Sequence, residues 1–144
     1  GTLTVADVMT REVLTARQGS SLVTLAETMA KRHISGVPVL DAEDRLVGIV
    51  TEADFLSAMN LEGGGLADVL VSVARKRRAR KGMGTIVDDI MTRRPITIAA
   101  QATLSQAVAL MDRNKIKRLV VTDEHAKVQG IVSRGDLMKL FAMK

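Results

Sequence analysis

Residues 130–137 read GIVSRGDL, and residues 48–55, eighty-two positions earlier, read GIVTEADF. Each stretch sets a glycine and two β-branched residues before a hydroxyl, with a carboxylate three residues after that hydroxyl. Glycine followed by Ile-Val reads as the end of a strand, and a hydroxyl with an acidic residue one turn on reads as the start of a helix. Sliding the chain by 82 aligns residues 5–60 with 87–142 without a gap, and 15 of the 56 pairs are identical. The identities fall in blocks. VADVMTR matches VDDIMTR, Leu22, Met29 and Ile34 match Leu104, Met111 and Ile116, and Val39 and Asp41 match Val121 and Asp123. Chance agreement would scatter, so the chain is an internal duplication.

Both copies follow one plan. A short helical turn ending near Met9 or Met91 leads to a brief strand around Leu14 or Ile96. A helix follows, with Ser20 or Ser21, and Thr103 in the second copy, as N-cap. Leu22, Leu25, Ala26 and Met29 recur at helical spacing, as do Leu104, Ala107, Val108 and Met111. Two apolar runs then flank a turn, 37–40 and 46–50 in the first copy, 118–121 and 128–132 in the second. A last helix starts at Thr51 or Ser133. The fold class is therefore α+β, two β-α-β-β-α repeats over residues 1–60 and 87–144 joined by a segment over 61–86. One such unit has too few strands to cover its helices, so the two are expected to pack together as a pseudo-twofold pair.

The composition narrows the function classes. A chain of 144 residues without cysteine has no disulfides or thiolate metal sites, which fits a cytoplasmic setting, free or as part of a larger protein. No apolar run suits a membrane span, and no signal peptide opens the chain. The net charge of +5 is local: residues 75–81 read RKRRARK, and without those six cations 15 basic residues face 16 acidic ones. No nucleophile with a supporting base, Walker loop or dinucleotide fingerprint is present, so catalysis is not expected. His33 and His125 are isolated, so neither suggests a metal.

The blocks ADVMT with IVDDIMT, HISGVPVLD with KIKRLVVTD, and GIVTEAD with GIVSRGD resemble a tandem pair of cystathionine-β-synthase (CBS) domains, the Bateman module. The resemblance covers nearly the whole chain outside 61–86. It implies two quasi-equivalent clefts between the repeats that bind adenine nucleotides (AMP, ADP or ATP) or, less expectedly here, S-adenosylmethionine. It further implies control of an attached or partner protein and association into a homodimer. The ribose-binding carboxylate of the family falls at Asp54 and Asp136. Thr15 and Thr97 match the strand that meets the purine, although Ala16 and Ile98 replace the proline that often follows it. Ile34, Ser35, Gly36, Val37 and Pro38 match the segment lining the base pocket. In the second copy that segment loses Gly and Pro and gains Lys117 and Arg118, which resemble a phosphate-contacting pair.

Residue chemistry alone leaves two readings open. A helix N-terminus favours a phosphate, Asp136 can accept ribose hydroxyls, and Ser133 can bond a ribose or phosphate oxygen. Equally, Ser133 with Asp136, and Thr51 with Asp54, are close to capping boxes that close their own helices. The copies differ in charge, with Glu52 after one hydroxyl and Arg134 after the other, so the second copy is the better phosphate site. Between the repeats, Leu66, Val69, Leu70 and Val73 describe an amphipathic helix. The basic run beyond them is a solvated connector or a contact for nucleic acid or an anionic membrane. Phe55, Leu56, Met59, Leu137, Met138, Leu140 and Phe141 are expected to be presented at a dimer interface. Three roles compete: a nucleotide-sensing regulatory module, a ligand-free dimerisation module, and a nucleic-acid-binding protein.

Overall fold

The structure is a computed structural model that describes residues 2–58 and 86–142. The linker helix expected over 61–86 lies outside them save for Ile86, as do the basic run at 75–81, Met59 and Met143. The first repeat runs α1 (Val5–Val8), β1 (Ala16–Arg17), α2 (Leu22–Arg32), β2 (Gly36–Leu40), β3 (Leu46–Thr51) and α3 (Glu52–Ala58). The second opens on a 3₁₀ turn (Val87–Asp89) and continues through β4 (Thr92–Arg93), β5 (Thr97–Ile98), α4 (Leu104–Asn114), β6 (Arg118–Thr122), β7 (Val128–Ser133) and α5 (Arg134–Ala142). The architecture is α+β with two sheets, ordered β1-β2-β3-β4 and β5-β6-β7.

The main helices form where their caps and apolar faces agree. Ser21, not Ser20, caps α2, its hydroxyl accepting the Thr24 N–H at 3.2 Å, while the Ser20 hydroxyl turns back to the Arg17 carbonyl. Thr103 and Gln106 close α4 reciprocally. Leu22, Leu25, Ala26 and Met29 are all buried. Each helix ends on a left-handed residue, His33 (φ 54°) or Lys115 (φ 53°). The next amide, of Ile34 or Ile116, then reaches back to the carbonyl of Met29 or Met111 at 3.0 Å.

The strands at β1 and β5 lie one to two residues later than the apolar pattern suggests. Thr97 pairs in parallel with Val120, whereas pairing in the first repeat begins only at Ala16 with Val39. Pro38 accounts for the later start, since both strands are two residues long. The bond from the Glu52 amide to the Ser35 carbonyl fixes the alternation along β2, so position 38 is the one that faces β1. Proline has no N–H to donate there, and Val120 has one.

The chain divides into two units, Leu14–Arg94 and Gly1–Val13 with Pro95–Lys144. The leading segment of each repeat therefore belongs with the body of the other. In the first unit named, β4 lies antiparallel to β3, with Ile49 opposite Thr92 and Gly48 opposite Arg93, and Val87 and Met91 enter a core with Leu22, Met29, Val50 and Phe55. In the other, Thr10 exchanges two backbone bonds with Ile131 at 2.8 and 3.0 Å, and Val5 and Met9 join Met111, Leu119, Val132 and Leu137. This explains the glycine of each GIV. A Cβ on Gly130 would stand 2.7 Å from the Thr10 carbonyl, and one on Gly48 would stand 2.6 Å from the Met91 sulfur.

Phe55 and Leu137, expected at an interface, are core residues instead, 1% and 9% exposed. Both point from the first turn of the closing helix into the sheet, where burial of a large apolar side chain contributes about 1.5–3 kcal/mol. Among the described residues, no helix is long and apolar enough to cross a membrane.

Candidate functional site

In the second repeat the expected site residues converge at one end of the sheet, where β5 and β6 begin and β7 ends. Arg118 is opposite Ser133, Thr97 is opposite Val120, and the Lys117 carbonyl accepts the Arg134 amide at 2.9 Å. Ser133 closes β7 and α5 starts at Arg134, one residue later than expected. The first repeat repeats the arrangement. Ile34 and Ser35 precede β2, Gly36 is opposite Thr51, Val37 and Pro38 continue the strand, and α3 starts at Glu52. Thr15 is exposed and falls one residue before β1.

The acidic residue after each hydroxyl is a cap. Asp136 Oδ2 accepts the Ser133 N–H at 2.9 Å, and the Ser133 hydroxyl accepts the Asp136 N–H at 3.2 Å. Asp54 Oδ2 accepts both the N–H and the hydroxyl of Thr51, at 2.7 and 3.1 Å. The same i, i+3 device closes the leading turns, where Asp7 accepts the Thr4 N–H and Asp89 accepts the Ile86 N–H. The aspartates of ADVMT, DDIMT, TEAD and SRGD thus share one local task.

What separates the two repeats is the second carboxylate oxygen. Asp54 Oδ1 accepts the Thr92 hydroxyl at 2.9 Å, so both of its oxygens are engaged. Thr10 occupies the register position equivalent to Thr92, opposite Ile131, yet donates no hydroxyl bond to Asp136. Asp136 Oδ1 has no hydrogen-bond partner among the described residues. The cations are distributed with the same bias. Lys117 is exposed with no side-chain partner among the described residues. Arg134 Nη2 pairs with Asp112 on α4 at 2.6 Å, but both side chains are more than half exposed, so the pair holds the guanidinium only weakly. The first repeat has Ser35, Gly36 and Glu52 in these places. Thr92 and Asp112 are the residues that sequence reasoning missed. The contact of Thr92 crosses 38 positions and that of Asp112 crosses 22, so neither leaves a short motif.

Comparisons with known proteins agree on what this frame is. The family model for the CBS domain matches residues 5–61 and again 87–143. Protein MJ1426 of Methanocaldococcus jannaschii is 31% identical over 150 residues, covering 94% of this chain and 89% of that protein. MJ1232 and MJ1225 of the same organism are 30% and 31% identical, but the chain spans only 40% and 46% of their lengths. The crystal structure of CBSX2 in complex with AMP superposes with a TM-score of 0.79 at 28% identity, covering 99% of this chain and 98% of that one. The CBS domain pair of MJ0100, in complex with 5′-methylthioadenosine and S-adenosyl-L-methionine, superposes with a TM-score of 0.75 at 25% identity and equal coverage. Two family matches on two repeats of one architecture place this chain in the CBS-domain family, as a tandem CBS pair.

Proposed function

We propose that this chain is a regulatory module that binds an adenine nucleotide (AMP, ADP or ATP) at the second repeat and thereby controls an attached or partner protein. The observation that carries the reading is Asp136, whose Oδ2 is spent on the Ser133 cap while Oδ1 remains available beside it. A ribose hydroxyl can bond that oxygen. The Ser133 hydroxyl, the α5 N-terminus and the cations Arg134, Lys117 and Arg118 stand on the phosphate side, and Thr97 and Ile116 border the base. The AMP complex of CBSX2 supports this ligand class. The MJ0100 complexes keep S-adenosyl compounds as the alternative. The first repeat has the corresponding positions Thr15, Ile34, Ser35, Gly36, Val37, Pro38, Thr51 and Asp54, but without the cations and with Asp54 already bonded to Thr51 and Thr92, so the second repeat is the better site.

Calorimetric titration with AMP, ADP, ATP and S-adenosylmethionine tests the reading. Asp136→Ala is expected to weaken nucleotide binding by roughly 1.5–3 kcal/mol, the loss of hydrogen bonds to a charged acceptor. If that variant melts earlier yet binds every nucleotide as wild type does, Asp136 is a cap only and the proposal fails.

A homodimer is the second part of the proposal. Leu3, Val108 and Met138 are 48%, 44% and 64% exposed. Leu3 and Val108 line a groove of about 690 Å³ with Leu104, Ala109, Leu137 and Leu140, all in the unit that carries α4 and α5. Apolar surface concentrated this way marks an association site. Light scattering is expected to give twice the chain mass, and Val108→Glu to halve it. A strictly monomeric wild type at high concentration overturns this part.

A further inference from the structure

We infer that Asp54 is a structural clasp and not a ligand group, that Thr92 keeps it so, and that the chain therefore carries one nucleotide site, on the second repeat. The stoichiometry rests on the nucleotide reading above; the clasp does not. The two repeats carry the same residue types at the key positions here. Each has a hydroxyl at the strand end, a carboxylate three residues on, and a threonine from the exchanged leading segment opposite the central isoleucine. They differ in use. Thr92 donates to Asp54 at 2.9 Å, and with the two bonds from Thr51 the carboxylate receives three hydrogen bonds over its two oxygens. A carboxylate offers about four acceptor positions, so a ribose that bonds through both of its hydroxyls would have to displace Thr92, leaving strand β4 without that tether. Asp136 receives one bond on one oxygen and has nothing to displace.

Charge acts in the same sense. Glu52 precedes Asp54 by two residues and among the described residues no cation pairs with either, whereas Arg134 holds the equivalent place in the second repeat. A nucleotide phosphate would therefore meet repulsion in one repeat and attraction in the other. The clasp also has a positive role: it ties β4, the last piece of the exchanged segment, to the first turn of α3.

The test combines binding and stability on four variants: Asp54→Ala, Thr92→Val, the double variant and Thr92→Ser. Calorimetry with AMP is expected to give one site per chain, with the affinity of Asp54→Ala and Thr92→Val within about twofold of wild type. Thr92→Val is expected to lower the melting temperature by about 2–4 °C, the shift that follows the loss of one such bond in a chain of this size, and Asp54→Ala by more, because it also removes the two bonds from Thr51. The double variant should fall by less than the sum, and Thr92→Ser should melt as wild type does. Two AMP sites per chain, a tenfold loss of affinity in Asp54→Ala, or additive melting shifts would each overturn the inference. If AMP fails to bind wild type at all, the nucleotide reading falls, and the melting cycle still decides the clasp.

Discussion

At the scale of single residues, the chain repeatedly asks non-glycine residues to adopt a conformation that glycine adopts freely. Lys115 ends α4 at φ 53°, and Ala126 closes the β6–β7 hairpin at φ 62°. An L-residue there costs about 1–2 kcal/mol, and glycine avoids this at the expense of unfolded-state entropy. Lys115→Gly and Ala126→Gly are each expected to stabilise the chain by roughly 0.5–1 kcal/mol, read from urea midpoints; a lower midpoint would contradict the strain argument. Asp41 and Asp123 hold the β2–β3 and β6–β7 hairpins in the equivalent way. Asp41 Oδ1 accepts the N–H groups of Arg45 and Glu43, both at 2.9 Å, and Asp123 Oδ1 accepts those of Lys127 and His125. These backbone bonds, from Arg45 and Lys127 first, hold both carboxyls below the usual carboxylate value. A depressed folded-state pKa gives stability that is complete above the unfolded value of about 3.9. It is lost as pH falls through the folded value. Acid titration of Asp41→Asn with Asp123→Asn should therefore show a shallower loss of stability below about pH 4 than wild type, and an unchanged acid slope would refute the assignment.

At the scale of elements, legibility followed sequence distance. The helices 22–32 and 104–114, the two hairpins and the hydroxyl-to-helix junctions were all readable, because each is written in residues fewer than about fifteen apart. The strand expected around Leu14 begins only at Ala16 because Pro38, one position before Val39 in the register, lacks a backbone donor, which no apolar pattern records. The exchange of leading segments was not legible either. Thr10 pairs with Ile131, and Val5 and Met9 bury in a cluster that runs from Ile98 to Leu137. The glycine of each GIV was the one local trace, and it read equally well as an ordinary strand glycine. Its role is testable. Gly130→Ala forces a Cβ against the Thr10 carbonyl at 2.7 Å, and backbone cannot yield as a side chain does. The variant is expected to lose about 1–3 kcal/mol, the usual cost of overpacking, with amide exchange rising at Thr10 and Ile131. Gly48→Ala meets mainly the flexible Met91 side chain and should lose less. Equal losses would mean that the close approach of the leading segment is not what requires glycine.

At the scale of the whole chain, the exchange makes the repeat of sequence and the unit of folding different objects. Leu14–Arg94 is one contiguous unit and contains every buried residue of its own core, from Leu22 to Met91. Residues 1–60, the repeat as written, lack Val87 and Met91 and carry Val5 and Met9 in their place. Those substitutes match in sequence, but reach is against them. In the sheet order β1-β2-β3-β4, Ala16 and Arg93 stand three strand spacings apart, or about 14 Å. Arg11 aligns with Arg93, and the five residues from Arg11 to Ala16 span at most about 17 Å when fully extended. Closing the leading segment onto its own sheet would leave almost no slack for the turn around the strand ends. A second copy can lend the segment without that constraint, as the second repeat does in the intact chain. A fragment of residues 14–94 is therefore expected to melt cooperatively at a temperature independent of concentration. A fragment of residues 1–60 should be unfolded when dilute and fold only as it dimerises, its melting temperature rising with concentration. Circular dichroism melts over a hundredfold range of concentration, with sedimentation for mass, separate the two. A monomeric 1–60 fragment as stable as 14–94 would show that the segment closes on its own repeat, and that the exchange is a preference of the pair rather than a consequence of its short connection.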